Sequence, residues 1–201
     1  LSGLVGSEMC IRDRSGSNFV TFNSRLLGDL NTPKEIAGLR GLDLHEVSHI
    51  LYTPRTGSEI GTWVQENKLF MAFNALEDQR IESLFTTRFP STVAWFTSTM
   101  LIHFVENPKT FLTSFPLLHG RKYLPVDLRA KARSVYADQA NADEIAQIID
   151  EYRYLLFPAD TEKGKELVRR FNDLLPKGEG GEGGDEGGNG EIKRIELSKD
   201  G

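Results

Sequence analysis

The sequence predicts a mainly α-helical domain with a minor β element near its N-terminus, followed by a disordered, acidic, glycine-rich linker. The composition is that of an ordinary globular protein, because 39% of the 201 residues are apolar and 26% are charged. Apolar residues recur at spacings of three and four in several segments between residues 33 and 175. From Lys177 the composition changes abruptly to glycine and acidic residues, which have no apolar surface to bury.

The N-terminal region contains one short candidate strand. Residues 1–14 include the run Ser7-Glu-Met-Cys-Ile-Arg-Asp-Arg14, which resembles translated sequencing-adapter read-through. We therefore expect residues 1–16 to be non-native or disordered. The alternating run Phe19-Val-Thr-Phe22 predicts a strand. The single cysteine, Cys10, cannot build a disulfide framework, which fits a reducing cytoplasm.

A long helix is predicted over residues 33–53. Its start is marked by a capping side chain, Asn31 or Thr32, directly before a proline. Gly38 and Gly41 either weaken its first half or allow a neighbouring helix to approach closely.

The remaining helices are predicted from apolar residues at helical spacing. They span residues 62–89, 91–105, 126–137, 143–157 and 161–175. The segment 91–105 is very apolar, but it is too short and too interrupted by polar residues to cross a bilayer, so we predict a buried core helix. Residues 54–61 and 111–125 contain proline and glycine and are expected to form loops or short turns.

The run His45-Glu46-Val47-Ser48-His49 lies within the first predicted helix. Residues four apart share one helix face, so the imidazoles of His45 and His49 can reach a single metal ion, for which Zn²⁺ is suited. Glu46 leaves the same turn at a different angle and can take a proton from a water molecule at that site. The spacing predicts a zinc hydrolase. The alternative is a pair of histidines satisfied by hydrogen bonds in an ordinary core helix.

A hydrolytic zinc ion needs a third protein ligand. Asn74, Glu77 and Asp78 lie close together on an apolar helix face, where a carboxylate is costly without a partner such as a metal ion. We predict Glu77 as the third ligand, with Asp78 and Asn74 orienting the ligands, while Arg80 or Glu82 faces outward. An exchange of roles between Glu77 and Asp78 stays open, as does a solvated charge run on a surface helix.

The predicted turns at residues 111–125 carry His119, Arg121 and Tyr123. Side chains of these types stabilise the negative charge that develops on the substrate oxygen in zinc hydrolases. We prefer Tyr123 and then His119 for this role. The alternative is an ordinary surface loop.

Three motifs together resemble the N-terminal part of CobT-type proteins, the cobaltochelatase subunit and its bacterial and phage relatives. They are G-L-x-L-H-E-V-S-H-I-L-Y-T, N-A-L-E-D-x-R-I-E and L-H-G-R-K-Y-L-P, and the resemblance covers residues 19–191. It implies a zincin-like metallopeptidase domain over residues 17–176, with a linker at 177–201 leading to a von Willebrand factor A domain. In the chelatase branch it also implies a partnership with an AAA+ ATPase in cobalamin biosynthesis.

Charge and composition limit the classes of partner. The formal net charge is −5 and no basic stretch accumulates, which disfavours a nucleic-acid partner, and no segment predicts a membrane span. The first hypothesis is a cytoplasmic metallopeptidase acting on a peptide or protein. The second is a non-catalytic zinc-binding subunit of a complex with an AAA+ ATPase or chelatase subunits. A helical adaptor without metal is the third.

Overall fold

A computed structural model describes residues 32–55, 57–106 and 108–175 as packed helices joined by short turns. No strand occurs within these ranges, and the prediction of a mainly α-helical fold is confirmed. The candidate strand at residues 19–22 and the linker from Lys177 lie outside the described residues. Among the described helices, none combines the length and the apolarity that a bilayer span requires.

The helices are numbered in chain order. They are α1 (Pro33–Tyr52), α2 (Glu59–Glu66), α3 (Phe70–Arg88), α4 (Val93–Met100), α5 (Pro108–Thr113), α6 (Phe115–Leu118), α7 (Val126–Val135), α8 (Ala142–Tyr152) and α9 (Thr161–Leu174). A 3₁₀ turn, Pro90–Thr92, precedes α4, and a π-helical turn, Leu101–Val105, follows it. The three C-terminal helices agree with the predicted segments, with α7 and α8 ending a few residues earlier.

Helix α1 begins and ends at the residues that its sequence predicts. The hydroxyl of Thr32 accepts a hydrogen bond from the backbone N–H of Glu35, while the Glu35 carboxylate accepts one from the backbone N–H of Thr32. At the other end, the backbone N–H of Thr53 donates to the carbonyl of His49 at 3.0 Å, and Pro54 follows. The two histidines therefore lie in the last two turns of α1.

The predicted helix over residues 62–89 is interrupted, so this prediction is wrong in one detail. Helix α2 ends at Glu66 and α3 begins at Phe70. Between them Lys68 adopts a φ of 57°, a left-handed conformation that ends a helix. The segment contains neither proline nor glycine, which is why its sequence gives no signal for this break.

Helix α3 is the centre of the molecule and packs against α1, α6, α8 and α9. Neighbours on several sides bury its polar side chains together with its apolar ones. The buried polar residues are Asn74, Glu77, Asp78, Gln79, Arg80, Glu82 and Thr86. Because burying an unpaired charge is costly, each of these groups requires a partner within the fold.

Helices α1 and α4 cross closely at Gly41. A Cβ atom built on Gly41 would overlap the side chain of Thr99 and lie 2.5 Å from the carbonyl oxygen of Trp95. A Cβ atom on Gly38 would meet only the end of the Ile102 side chain, at 3.1 Å. The close helix approach that these glycines suggest is confirmed, and Gly41 is where contact is tightest.

We expect Gly41→Ala to lower the free energy of unfolding by about 1–3 kcal/mol, because crowding outweighs a gain in helix propensity of at most about 1 kcal/mol. Gly38→Ala is the matched control, since only a flexible side-chain end must move, and it should be neutral or stabilising by up to about 1 kcal/mol. Urea denaturation of both variants measures the difference. Equal effects would contradict a tight crossing at Gly41.

Candidate metal centre

Three potential ligand atoms converge between α1 and α3. The Nε2 atoms of His45 and His49 are 3.2 Å apart. Oδ1 of Asp78 lies 3.2 Å from Nε2 of His49 and 3.7 Å from Nε2 of His45. The two imidazole planes are nearly perpendicular, at 87°. These three residues form a group that can hold one metal ion.

The spacing and chemistry of this group fit zinc. Tetrahedral ligands at bond lengths near 2.05 Å are about 3.3 Å from one another, close to the separations observed here. Two imidazoles and one carboxylate are ligand types that zinc prefers. Moreover, Oδ1 of Asp78 is buried and has no hydrogen-bond partner, which is costly for a carboxylate oxygen unless a cation satisfies it.

The structure places Asp78, rather than Glu77, beside the two histidines. Both oxygens of Glu77 are occupied, since Arg80 donates from Nη2 to Oε1 at 2.6 Å and from Nε to Oε2 at 2.9 Å. The hydroxyl of Tyr152 also donates to Oε2, at 3.2 Å. Burial raises the pKa of Tyr152 well above its usual value, and the Glu77 charge raises it further. Asp78, and not Glu77, is therefore the carboxylate in position to be a third ligand.

The expectation that Arg80 or Glu82 faces outward is wrong for both residues, since each is buried. Glu82 lies behind His45, where Oε1 accepts a hydrogen bond from Nδ1 of that ring at 2.8 Å. An ionised carboxylate can only accept, so Nδ1 must carry the proton. In the neutral ring, Nε2 then keeps its lone pair and faces Asp78.

Arg121 and Tyr123 complete the surroundings of Glu82. Arg121 donates from Nε to Oε2 at 2.7 Å and from Nη2 to Oε1 at 3.0 Å, and the Tyr123 hydroxyl donates to Oε2 at 2.6 Å. Burial alone would raise the pKa of Glu82, but Arg121 and the hydrogen bond from His45 lower it to about 2. Glu82 is therefore a fully satisfied anion that fixes the His45 ring.

The imidazole ring of His49 is oriented by Thr53, at the C-terminal end of α1. Its Nδ1 atom lies 2.8 Å from the hydroxyl of Thr53, the residue that ends α1. The side chains of His49 and Asp78 are 17% and 12% exposed, whereas that of His45 is 3% exposed. The ligand group therefore reaches solvent on the side of His49 and Asp78.

The other predicted site residues are Glu46, Asn74, His119 and Tyr123. Glu46 follows His45 on α1 and is buried, and Asn74 is buried one turn before Asp78 on α3. His119 bonds through Nε2 to Oδ2 of Asp150 on α8, at 3.1 Å. The hydroxyl proton of Tyr123 is already donated to Glu82. The polar groups of His119 and Tyr123 are thus engaged by Asp150 and Glu82, and their role as oxyanion donors stays a prediction.

The sequence reasoning did not assign Glu82 or Thr53 to the site, although both have a positional signal. Glu82 follows Asp78 by four residues, which puts the two carboxylates on one face of α3. Thr53 follows His49 by four residues, one turn further along α1. Arg121 carries no such local signal, because its partner Glu82 is 39 residues away in the chain.

The two neighbouring carboxylates are expected to differ in their effect on stability. In metal-free protein, Glu77→Gln should lower the free energy of unfolding by about 3–5 kcal/mol, because it leaves the buried Arg80 without a counter-charge. Asp78→Asn keeps the side-chain size and loses no hydrogen bond at Oδ1, so we expect a change below about 1 kcal/mol. Urea denaturation in the presence of EDTA compares them. A loss at Asp78 as large as at Glu77 would contradict this assignment of roles.

No protein-family model, curated protein or solved structure matches the chain. The resemblance to CobT-type proteins therefore stays a hypothesis that depends on the three motifs. The fold brings residues from all three motifs together, since Glu82 of the second motif bonds His45 of the first and Arg121 and Tyr123 of the third. The motifs thus form one spatial unit.

Proposed function

We propose that the chain is a zinc-dependent hydrolase that cleaves amide bonds in peptides, a metallopeptidase-like domain. His45, His49 and Asp78 hold the metal, and Glu46 acts as general base. One observation carries this proposal: three potential ligand atoms lie within 3.7 Å of one another, and one of them is a buried carboxylate oxygen that lacks a hydrogen-bond partner. That arrangement is stable when a cation completes it.

The number of ligands favours a catalytic site over a structural one. Structural zinc sites are closed by four protein ligands, whereas hydrolytic sites use three and leave one position for water. Within the part of the chain that the structure describes, no fourth His, Cys, Asp or Glu joins the group. The partial exposure of His49 and Asp78 gives that position access to solvent.

The residues around the centre divide the chemistry between them. When bound, zinc would polarise the scissile carbonyl and lower the pKa of a water molecule. The Glu46 carboxylate accepts a proton from the water that attacks the carbonyl carbon and returns it to the amide nitrogen as the C–N bond breaks. Glu82 holds His45 in the tautomer that presents Nε2, and Thr53 orients His49.

A second candidate is a non-catalytic zinc-binding subunit of a complex with an AAA+ ATPase or chelatase subunits. The low exposure of the site supports it, because His45 is almost fully enclosed. The resemblance to CobT-type proteins supports it as well. The cytoplasmic location expected from cysteine usage belongs to both candidates and stays a prediction.

Zinc titration separates the proposed ligands from their neighbours. Wild-type protein should bind one Zn²⁺, and Asp78→Asn or His49→Ala should weaken binding by about 100-fold or more, because each removes a direct ligand. Glu82→Gln should weaken binding by about 10–100-fold through the loss of His45 orientation. Competition with a fluorescent chelator measures these affinities. Thr99→Ser on α4 is a control variant away from the ligands and should bind as wild type does.

Glu46→Gln separates catalysis from metal binding. The variant should keep its zinc but lose about 10²–10⁴-fold in the rate of peptide cleavage, since only the proton-transfer group is removed. Cleavage of a mixed peptide library, followed by mass spectrometry, provides the measurement. Stoichiometric zinc in wild type with no cleavage in any fraction would favour the non-catalytic subunit.

A further inference from the structure

A cavity of about 690 Å³ lies beyond the C-terminal end of α1. Its size is in the range of small-ligand sites, which is about 300–1,000 Å³. Most of its wall is apolar, and the residues that form this part are Leu51, Pro54, Ile60, Phe157 and Pro158. The cavity therefore has room for a large apolar side chain together with the backbone that carries it.

The wall of this cavity is fixed by the buried Arg80. Its Nη2 atom donates to the carbonyl of Tyr52 at 2.7 Å, and its Nη1 atom donates to the carbonyl of Leu155 at 3.2 Å. Its guanidinium also lies 4.9 Å from the ring centre of Phe157. Arg80 thus joins two sides of the cavity, which favours a preformed site.

The cavity adjoins the candidate metal centre through one residue. Thr53 lines the cavity, and its hydroxyl contacts Nδ1 of His49 at 2.8 Å. A group seated in the cavity is therefore separated from a metal ligand by a single side chain. This proximity makes the cavity a candidate substrate subsite of the same centre.

Arg55 supplies the one charge at the cavity that has no ion-pair partner among the described residues. Two charged residues, Arg55 and Glu59, line it. Glu59 is paired with Lys165 at 2.6 Å. Arg55 is exposed and, among the residues that the structure describes, makes no ion pair. An arginine beside an apolar cavity is suited to a carboxylate, which it can bind with two parallel hydrogen bonds.

We propose that this cavity binds the C-terminal residue of a peptide substrate, with an apolar side chain inside and the α-carboxylate on Arg55. The inference rests on the proposed function, because it treats the cavity as part of a peptide-cleaving site. It goes further in naming the substrate class, which is peptides that end in a large apolar residue. A peptide amide, which lacks the negative charge, should bind far less well.

The test uses N-acetyl-L-phenylalanine and its amide as probes, with the full chain in EDTA so that no metal contributes to binding. NMR titration should show the acid binding wild type about tenfold more tightly than the amide. Arg55→Gln should abolish that preference, because the carboxylate loses its partner. Lys131→Gln removes a charge of the same sign on α7, outside the cavity, and should leave the preference unchanged. Equal affinity of wild type for acid and amide would overturn the proposal.

A second variant tests the cavity independently of charge. A Cβ atom on Gly57 meets no heavy atom within 4 Å, so a side chain can be added without a clash at its first atom, and a large one can reach into the cavity that Gly57 lines. Gly57→Trp should weaken binding of the acid by at least about tenfold, and Gly57→Ala should not. Unchanged binding to Gly57→Trp would place the probe elsewhere and overturn the proposal. Acid binding without zinc binding would instead refute the metal centre and leave the cavity as a carboxylate site.

Discussion

The buried carboxylate of Glu82 is the point on which the geometry of the site depends. It accepts four hydrogen bonds, one from His45, two from Arg121 and one from Tyr123. These donors come from α1 and from the turns after α6, so one side chain of α3 ties three parts of the chain together. An anion in this position is tolerated only because every acceptor site is filled. Removing any donor would therefore disturb the orientation of the His45 ring as well as the packing.

Much of the helical framework could be predicted from the sequence, because capping residues, proline and the spacing of apolar residues decide where helices begin and end. The capping side chain of Thr32 and the proline after it predicted the start of α1 correctly. The break at Lys68 was missed, since a left-handed lysine leaves no compositional trace. The short helix α6 and the start of α2 were also missed, because they lie in segments whose proline and glycine predicted loops or turns. The pair His45 and His49 was likewise found from its spacing alone, because residues four apart on a helix always share a face.

The choice between Glu77 and Asp78 could not be made in the same way. Adjacent residues on a helix point about 100° apart, and both flank the same apolar stripe. What decides their roles is that Arg80 turns inward and bonds both oxygens of Glu77. Distant groups hold Arg80 there, since it also donates to the carbonyls of Tyr52 and Leu155, which are 28 and 75 residues away in the chain. The burial of Arg80 and Glu82 escaped prediction for the same reason. A charged helix face is usually solvated, and only the packing of other helices around α3 changes that here.

Asp78 and Glu82 show how the fold assigns different roles to two carboxylates on one helix face. Four donors saturate Glu82, so it has no acceptor capacity left for a cation. Asp78 keeps one buried oxygen without a hydrogen bond, and that oxygen faces both imidazoles. Arg121 contributes to the difference, because it bonds Glu82 in bidentate fashion yet remains 3.8 Å from Asp78. In the proposed centre, the turn that carries Arg121 therefore matters alongside the histidine motif, because it saturates Glu82 and leaves the Asp78 oxygen open.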